Sequence, residues 1–158
     1  MNKVAYKSVD ELEHFRFDDC QIDTFAVTEN GVELMVEALI VRADNSQNTN
    51  YTESYAGTTK IRITDGKLIR CVRDGYKYYD ANDVLQSEVP DYELSVAETT
   101  DFPKTCEGAY LFEMKRDADG YVLGIEIVDQ TVGDSYQVYV TGTQVAMLWE
   151  QYMNRVQS

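Results

Sequence analysis

The chain of 158 residues has few of the residues that mark several common protein classes. It contains one His, three Cys and two Pro, and no apolar run approaches the roughly 20 residues of a membrane helix. The first 15 residues have no continuous apolar core and no small-residue cleavage motif, so they predict no signal peptide. We therefore expect a cytoplasmic protein that does not span a membrane, and the compact chain favours a bacterial source.

The cysteines, Cys20, Cys71 and Cys106, are odd in number and include no Cys-x-x-Cys pair. This pattern argues against a disulfide framework and against a zinc knuckle. We expect three free thiols that pack in the interior as small apolar side chains. The sequence predicts no metal site and no cofactor.

Acidic residues outnumber basic ones by 28 to 14, which gives a formal charge of −14. This charge repels phosphate backbones and anionic lipids, so it disfavours nucleic-acid and membrane binding and favours a protein partner with a basic surface. Hydrophobic residues make up 44% of the chain, enough to form a folded core. The length predicts one domain that spans residues 1–158.

Most of the chain has the alternating pattern of β-strands. The dipeptides Asn30-Gly31, Asp65-Gly66 and Asp119-Gly120 lie between alternating apolar residues, as in antiparallel hairpins. A further hairpin is predicted over 76–80 and 84–89, and one more strand over 135–141. We expect about eight or nine strands, largely in meander order.

Two helices are predicted at the ends of the chain. Ser8 and Glu11 have the S-x-x-E spacing of a capping box, which predicts a short helix over 9–14. Near the C-terminus, apolar residues recur with helical spacing and predict an amphipathic helix; they are Val145, Leu148, Trp149, Tyr152 and Val156. Residues 43–57 and 90–106 are predicted as long polar loops, a type that is often functional.

Together these patterns predict an α+β fold. A strongly bent antiparallel sheet would carry the short N-terminal helix and the C-terminal helix packed on it. Closure of the sheet toward a barrel stays open as an alternative.

The single His limits the possible enzyme chemistry. His14 could activate the Cys20 thiol as a nucleophile. It could also bind a divalent cation with neighbouring acidic residues, namely Glu11, Glu13, Asp18 and Asp19. Neither set has a diagnostic spacing, and the sequence contains no other catalytic motif. We therefore predict that the protein is not an enzyme.

Charge and tyrosine distribution are more informative. The stretch from Lys60 to Lys77 has six basic and two acidic residues, and seven acidic residues then follow before Lys104. In the ordinary interpretation these blocks face and neutralise each other; in the functional one, the acidic block recognises a basic partner. Tyr is common in strands and also at interfaces. The candidate interaction residues are Tyr76, Tyr78, Tyr79, Asp80, Asp83, Asp91, Tyr92, Glu93, Glu98 and Asp101.

One short segment carries a family resemblance. Phe17-Asp18-Asp19-Cys20-Gln21-Ile22, followed by alternating strands, resembles the opening of small bacterial domains of unknown function. In those domains F-[HD]-D-x-x-I precedes a β-hairpin, and some are immunity proteins encoded beside toxins. The resemblance covers about the first 40 residues and carries over no functional residue. It implies a non-catalytic protein that binds and blocks a partner.

Three functions follow as hypotheses. The leading one is a non-enzymatic cytoplasmic binding protein, immunity-like or regulatory, with an acidic and Tyr-bearing surface. The alternative is a small-molecule carrier with an apolar pocket between the bent sheet and the C-terminal helix. The third is a metal-dependent enzyme around His14. An enclosed pocket with convergent polar groups would favour the carrier, and a filled core with an acidic patch would favour the binding protein.

Overall fold

A computed structural model describes residues 5–129 and 132–156. The strands in chain order are β1 (Tyr6–Val9), β2 (Phe15–Arg16), β3 (Gln21–Thr28), β4 (Gly31–Glu37), β5 (Ile40–Val41), β6 (Ser54–Ala56), β7 (Thr59–Thr64), β8 (Lys67–Arg73), β9 (Tyr76–Tyr79), β10 (Leu85–Val89), β11 (Tyr92–Glu93), β12 (Tyr110–Asp117), β13 (Gly120–Asp129), β14 (Val132–Thr141), β15 (Gln144–Trp149) and β16 (Tyr152–Arg155). Within the described residues there is one α-helix, α1 (Val96–Thr105), and one 3-10 turn, Leu12–His14.

The strands form three antiparallel sheets. Ten strands make one large sheet in the order β1-β15-β7-β4-β3-β12-β13-β14-β8-β11, and four short strands pair in the order β16-β6-β5-β2. In the described part of the chain, strands β9 and β10 pair only with each other. The large sheet is open, since β1 and β11 lie at its two edges, so the alternative of a closed barrel is wrong.

The large sheet bends around its core. Helix α1 contacts both β3 and β8, although three strands separate these two in the sheet. Phe102 and Cys106 at the end of the helix are buried in the same apolar cluster as Ile22 and Cys71. All three cysteines are free and buried, as the sequence predicts. No helix in the described part of the chain is long and apolar enough to cross a membrane.

The hairpins predicted at Asn30-Gly31 and Asp119-Gly120 are confirmed, but each loop lies one residue earlier than predicted. Thr28 pairs with Gly31 and Asp117 pairs with Gly120, so each glycine is the first residue of the second strand. A bulge between Ile22 and Thr24 shifts the β3 register. Ile22 therefore points into the core, although strict alternation would place it on the solvent side.

The predicted hairpin at Asp65-Gly66 is wrong. The two strands that this turn joins do not pair, because β7 lies between β4 and β15 whereas β8 lies between β14 and β11. Asp65 adopts a φ of 56°, and its N–H donates to the Asn30 carbonyl at 3.1 Å. The dipeptide thus forms a corner that sends the chain to a distant part of the sheet, and the strand order is only partly a meander.

The predicted C-terminal helix is also wrong, because its residues form β15 and β16. The stretch Val145 to Trp149 is buried along its whole length, so β15 is covered on both faces, and it lies between β1 and β7 in the sheet. A short continuous apolar run fits a buried strand as well as a helix, and the spacing of its apolar residues cannot separate the two. The carrier hypothesis loses the helix that would have covered its pocket.

The predicted N-terminal helix is reduced to the 3-10 turn, while the real α-helix begins at a second S-x-x-E motif. Ser8 Oγ donates to Glu11 Oε1 at 2.8 Å, but Asp10 between them has a φ of 54°, which a helix cannot contain. At Ser95 the reciprocal capping box is complete, with the Glu98 N–H donating to Ser95 Oγ at 3.1 Å. The predicted loop 90–106 therefore contains α1.

The predicted loop 43–57 contains β6 near its end, and the Asn-rich part before that strand, residues 43–53, is ordered by its own side chains. The Asn48 Nδ2 group donates to three carbonyls, those of Val41, Arg42 and Thr52, at 2.9–3.1 Å. Asn45 is buried and donates to Ser8 Oγ at 3.2 Å. These bonds replace the backbone ladder that a loop lacks, so the asparagines have a structural role.

Candidate interaction surface

The most exposed part of the fold is the hairpin of β9 and β10, residues 76–89, which we name the arm. It prolongs the ribbon formed by β8 and β11 beyond the end of the large sheet. The Gly75 N–H, where the ribbon breaks, donates to Asp91 Oδ1 at 2.7 Å. A Cβ on Gly75 would lie 2.1 Å from the Val89 carbonyl oxygen, so the close approach of the two chains at the base of the arm needs glycine.

Asp80 fixes the turn at the tip of the arm. Its Oδ1 atom accepts hydrogen bonds from the N–H groups of Asn82 at 2.8 Å and Val84 at 3.0 Å. Asp83 has a φ of 61°, a conformation that Asp and Asn adopt more readily than most residues. The tip is therefore ordered by local bonds and requires no contact with the sheet.

Both faces of the arm present aromatic side chains to solvent. Tyr76 and Tyr78 lie on one face with ring centroids 5.0 Å apart, and Tyr79 lies opposite Leu85 on the other. The exposed fractions of Tyr76, Tyr78 and Tyr79 are 47%, 59% and 56%. Val84 and Leu85 add exposed aliphatic surface. Contiguous exposed apolar groups of this kind typically mark an interaction site.

The predicted acidic block, residues 80–101, divides into carboxylates that stabilise the fold and carboxylates that have no internal partner. Glu93 pairs with Arg70 at 2.9 Å, and Glu88 lies 3.9 Å from Lys77. Two carboxylates of the acidic block thus pair with basic residues of the stretch from Lys60 to Lys77, so these two blocks partly neutralise each other. Asp80, Asp91 and Glu98 accept the bonds of the arm turn, the arm base and the α1 cap. Among the described residues, the side chains of Asp83 and Asp101 form no hydrogen bond or ion pair.

Tyr92 connects the base of the arm to α1. Its hydroxyl donates to Glu98 Oε1 at 2.6 Å, and the Arg73 guanidinium lies 5.1 Å from its ring centroid. The hydrogen bond to Glu98 raises the pKa of Tyr92. The pKa of Glu98 is lowered, first by the Ser95 N–H and then by Tyr92. Exposed Tyr92 is therefore held in one position beside the helix.

A surface pocket of about 270 Å³ lies beside Tyr92. Its walls combine acidic, aromatic and basic groups, and they are Arg73, Tyr92, Leu94, Glu98, Asp101, Phe102, Thr105 and Tyr136. Sequence reasoning missed Arg73 and Tyr136, since they lie on β8 and β14 and only the sheet order brings them next to α1. Arg73 and Tyr136 are register partners in adjacent strands.

The candidate chemistry around His14 is not assembled. His14 Nδ1 lies 3.0 Å from Asp44 Oδ1. Contact with Asp44 raises the pKa of His14. Burial raises the pKa of Cys20 to about 12, which keeps the thiol protonated at neutral pH. Within residues 5–129 and 132–156, no three His, Cys, Asp or Glu side chains form a group that could hold a metal ion.

Comparison with protein-family models, with curated proteins and with solved structures finds no match to this chain. The predicted interaction residues lie in one continuous region: Tyr76, Tyr78, Tyr79, Asp80 and Asp83 in the arm, Asp91, Tyr92 and Glu93 at its base, and Glu98 and Asp101 on α1. Val84 and Leu85, which the sequence prediction did not include, complete the apolar surface of the arm.

Proposed function

We propose that this chain is a non-enzymatic binding protein that recognises a basic protein partner through the arm and the adjoining surface of α1. The observation that supports this most strongly is the exposure of three tyrosines on an ordered hairpin outside the core. A two-stranded hairpin is marginally stable in water on its own. An additional chain packed on the arm would bury its aromatic side chains and stabilise it.

The charge of this region sets the type of partner. Residues 80–101 contain seven acidic and no basic residues, and Asp83 and Asp101 are exposed. Carboxylates without internal partners are free to pair with Lys or Arg of another protein, and their field accelerates its approach. The partner surface would therefore combine basic side chains with apolar ones that pack on the tyrosines.

Binding that blocks the partner is the form we propose, in agreement with the resemblance of residues 17–22 to small bacterial domains that include immunity proteins. The cytoplasm is the compartment we propose for this activity. A regulatory protein would use the same surface. Both roles require an ordered surface, and the tip bonds of Asp80 and the Tyr92–Glu98 contact support this order.

A direct test uses two synthetic probes, the peptides acetyl-(Arg-Val)4-amide and acetyl-(Glu-Val)4-amide. Both are extended and half apolar, and they differ in charge sign. We expect the basic peptide to bind at least about tenfold more tightly. Its affinity should fall as salt rises from about 0.05 M to about 0.5 M, because the Debye length shortens. Equal affinities would contradict the proposal.

Matched charge variants locate the site. Asp83→Asn with Asp101→Asn removes two charges at the proposed surface without removing any internal contact among the described residues. Asp117→Asn with Asp119→Asn removes two charges at the β12–β13 turn, the opposite end of the large sheet. We expect only the first double variant to weaken binding of the basic peptide. Equal losses would show that net charge alone attracts it.

A further inference from the structure

We infer that the partner binds by adding an extended, basic strand to the free edge of β9. This inference rests on the proposed function and specifies its binding mode. Within the described residues, β9 pairs with β10 and with no other strand. Its second edge presents unpaired backbone groups, the usual template for strand addition.

The pairing of the hairpin identifies which backbone groups are available. The Asp80 N–H donates across the hairpin to the Val84 carbonyl at 2.9 Å. Backbone groups in an antiparallel strand alternate between its two edges. The N–H groups of Tyr78 and Tyr76 therefore also point toward β10, and those of Lys77 and Tyr79 point outward. These two N–H groups, with their carbonyls, would form the ladder with the added strand.

The two edges of the arm differ in regularity. A register shift between Leu85 and Ser87 places a bulge in β10, whereas β9 pairs residue by residue from Tyr76 to Tyr79. Bulges disrupt the edges on which they lie and protect them from further pairing. The β9 edge is therefore the one available for strand addition.

Charge selects the occupant of this edge. A second copy of the chain would bring another charge of −14 toward the arm, and like charges oppose such pairing. The charged residues of the arm are Lys77, Asp80, Asp83 and Glu88, so the arm has a net negative charge that favours a strand with Lys or Arg at alternate positions. These basic groups would lie on the face of Lys77 and Tyr79, where Glu88 is the register partner of Lys77. The intervening apolar residues of the strand would lie beside Tyr76 and Tyr78. We therefore assign the edge to a basic strand of a different protein.

Amide hydrogen exchange tests the mode on the unmodified protein, with acetyl-(Arg-Val)4-amide as the probe. At saturating peptide we expect exchange at Lys77 and Tyr79 to slow by at least about tenfold. The amides of Tyr78 and Asp80, already bonded within the hairpin, serve as the internal reference. Peptide binding without slower exchange at Lys77 and Tyr79 would overturn strand addition and leave the proposed function standing.

Proline variants provide the second test. Lys77→Pro removes an outward N–H from the β9 edge, and Lys77→Gln removes the same charge but keeps that N–H. Glu88→Pro makes the equivalent change on the β10 edge, since Glu88 is the register partner of Lys77. We expect only Lys77→Pro to reduce affinity by about tenfold or more. Equal losses in both proline variants would overturn the assignment to β9.

Two other results would each overturn strand addition by a foreign basic strand. If the basic peptide binds no better than acetyl-(Glu-Val)4-amide, the proposed function fails and strand addition fails with it. If Lys77 and Tyr79 are already protected without peptide, and more so at higher protein concentration, the edge pairs with a second copy. That result would overturn the assignment to a foreign basic strand.

Discussion

Strand β15 and the arm are both rich in large apolar side chains, but these side chains are buried in β15 and exposed in the arm. The five residues from Val145 to Trp149 are all buried, with Trp149 only 1% exposed. The four residues of β9, three of them tyrosines, are all exposed. Apolar residues in β15 therefore stabilise the fold, whereas those in the arm are available to a partner. Large apolar side chains thus have a structural role in β15, which lies inside the large sheet, and a proposed binding role in the arm, which lies outside it.

Truncation of an aromatic side chain should lower the free energy of unfolding strongly in β15 and hardly in the arm. This is the largest difference that we expect between the two regions. Trp149 packs against Tyr6 at 5.5 Å, Phe15 at 6.0 Å and Tyr152 at 5.9 Å between ring centroids. We expect Trp149→Ala to lower the free energy of unfolding by about 3–5 kcal/mol in denaturant titrations. Tyr78→Ala in the arm should change it by less than about 0.5 kcal/mol. Similar losses in both variants would remove the distinction.

Native-state hydrogen exchange should distinguish β15 from the arm without any substitution. Amides of β15, bonded to strands on both sides, should exchange only through global unfolding. Arm amides should exchange through local opening, at a free energy lower by more than about 2 kcal/mol, because the hairpin has few buried contacts. Arm amides that exchange as slowly as those of β15 would show that the arm belongs to the cooperative core.

The base of the arm is sensitive to the α1 cap, because Glu98 accepts hydrogen bonds from both Ser95 and Tyr92. Ser95→Ala removes the acceptor of the Glu98 N–H and should cost about 1 kcal/mol of stability. It should also loosen the Tyr92–Glu98 contact, which a change in Tyr92 chemical shifts would report. Val96→Ala, at a residue 87% exposed, is the matched control and should change neither. A stable Ser95→Ala protein with unchanged Tyr92 signals would contradict this role.

A smaller effect should depend on pH and involve residues outside the arm. Because the folded-state pKa of His14 is raised by Asp44, this pair stabilises the fold below the unfolded pKa of the imidazole, near 6.5. That stability is lost as pH rises through the higher folded pKa. We expect His14→Gln to lower the denaturation midpoint at pH 5.5 and to have little effect at pH 8.5. The opposite pH dependence would contradict the ion pair.

Sequence patterns predict local features of this molecule better than its long-range organisation. The Asn30-Gly31 turn and the arm are local, so alternation and turn residues suffice to find them. The corner at Asp65-Gly66 has the same local signal as a hairpin, but contacts between distant strands send its two strands to different neighbours. The order of strands is a property of the whole chain and cannot be read from a dipeptide.

The errors at the two ends have the same origin. Both Ser8 and Ser95 begin an S-x-x-E motif, and only the backbone conformation of Asp10 distinguishes them. The run that ends at Trp149 fits both a helix and a buried strand until its neighbours β1 and β7 are known. For the surface, the acidic and tyrosine residues were found from the sequence, but Arg73 and Tyr136 joined them only through the sheet order.

We propose that the arm tyrosines contribute to binding and hardly to folding. The most direct measurement is made on a single variant, Tyr76→Thr with Tyr78→Thr and Tyr79→Thr, which keeps strand propensity and removes the rings. Its affinity for acetyl-(Arg-Val)4-amide should fall by at least about tenfold, while its free energy of unfolding changes by less than about 1 kcal/mol. Unchanged affinity together with a loss of several kcal/mol would contradict the claim.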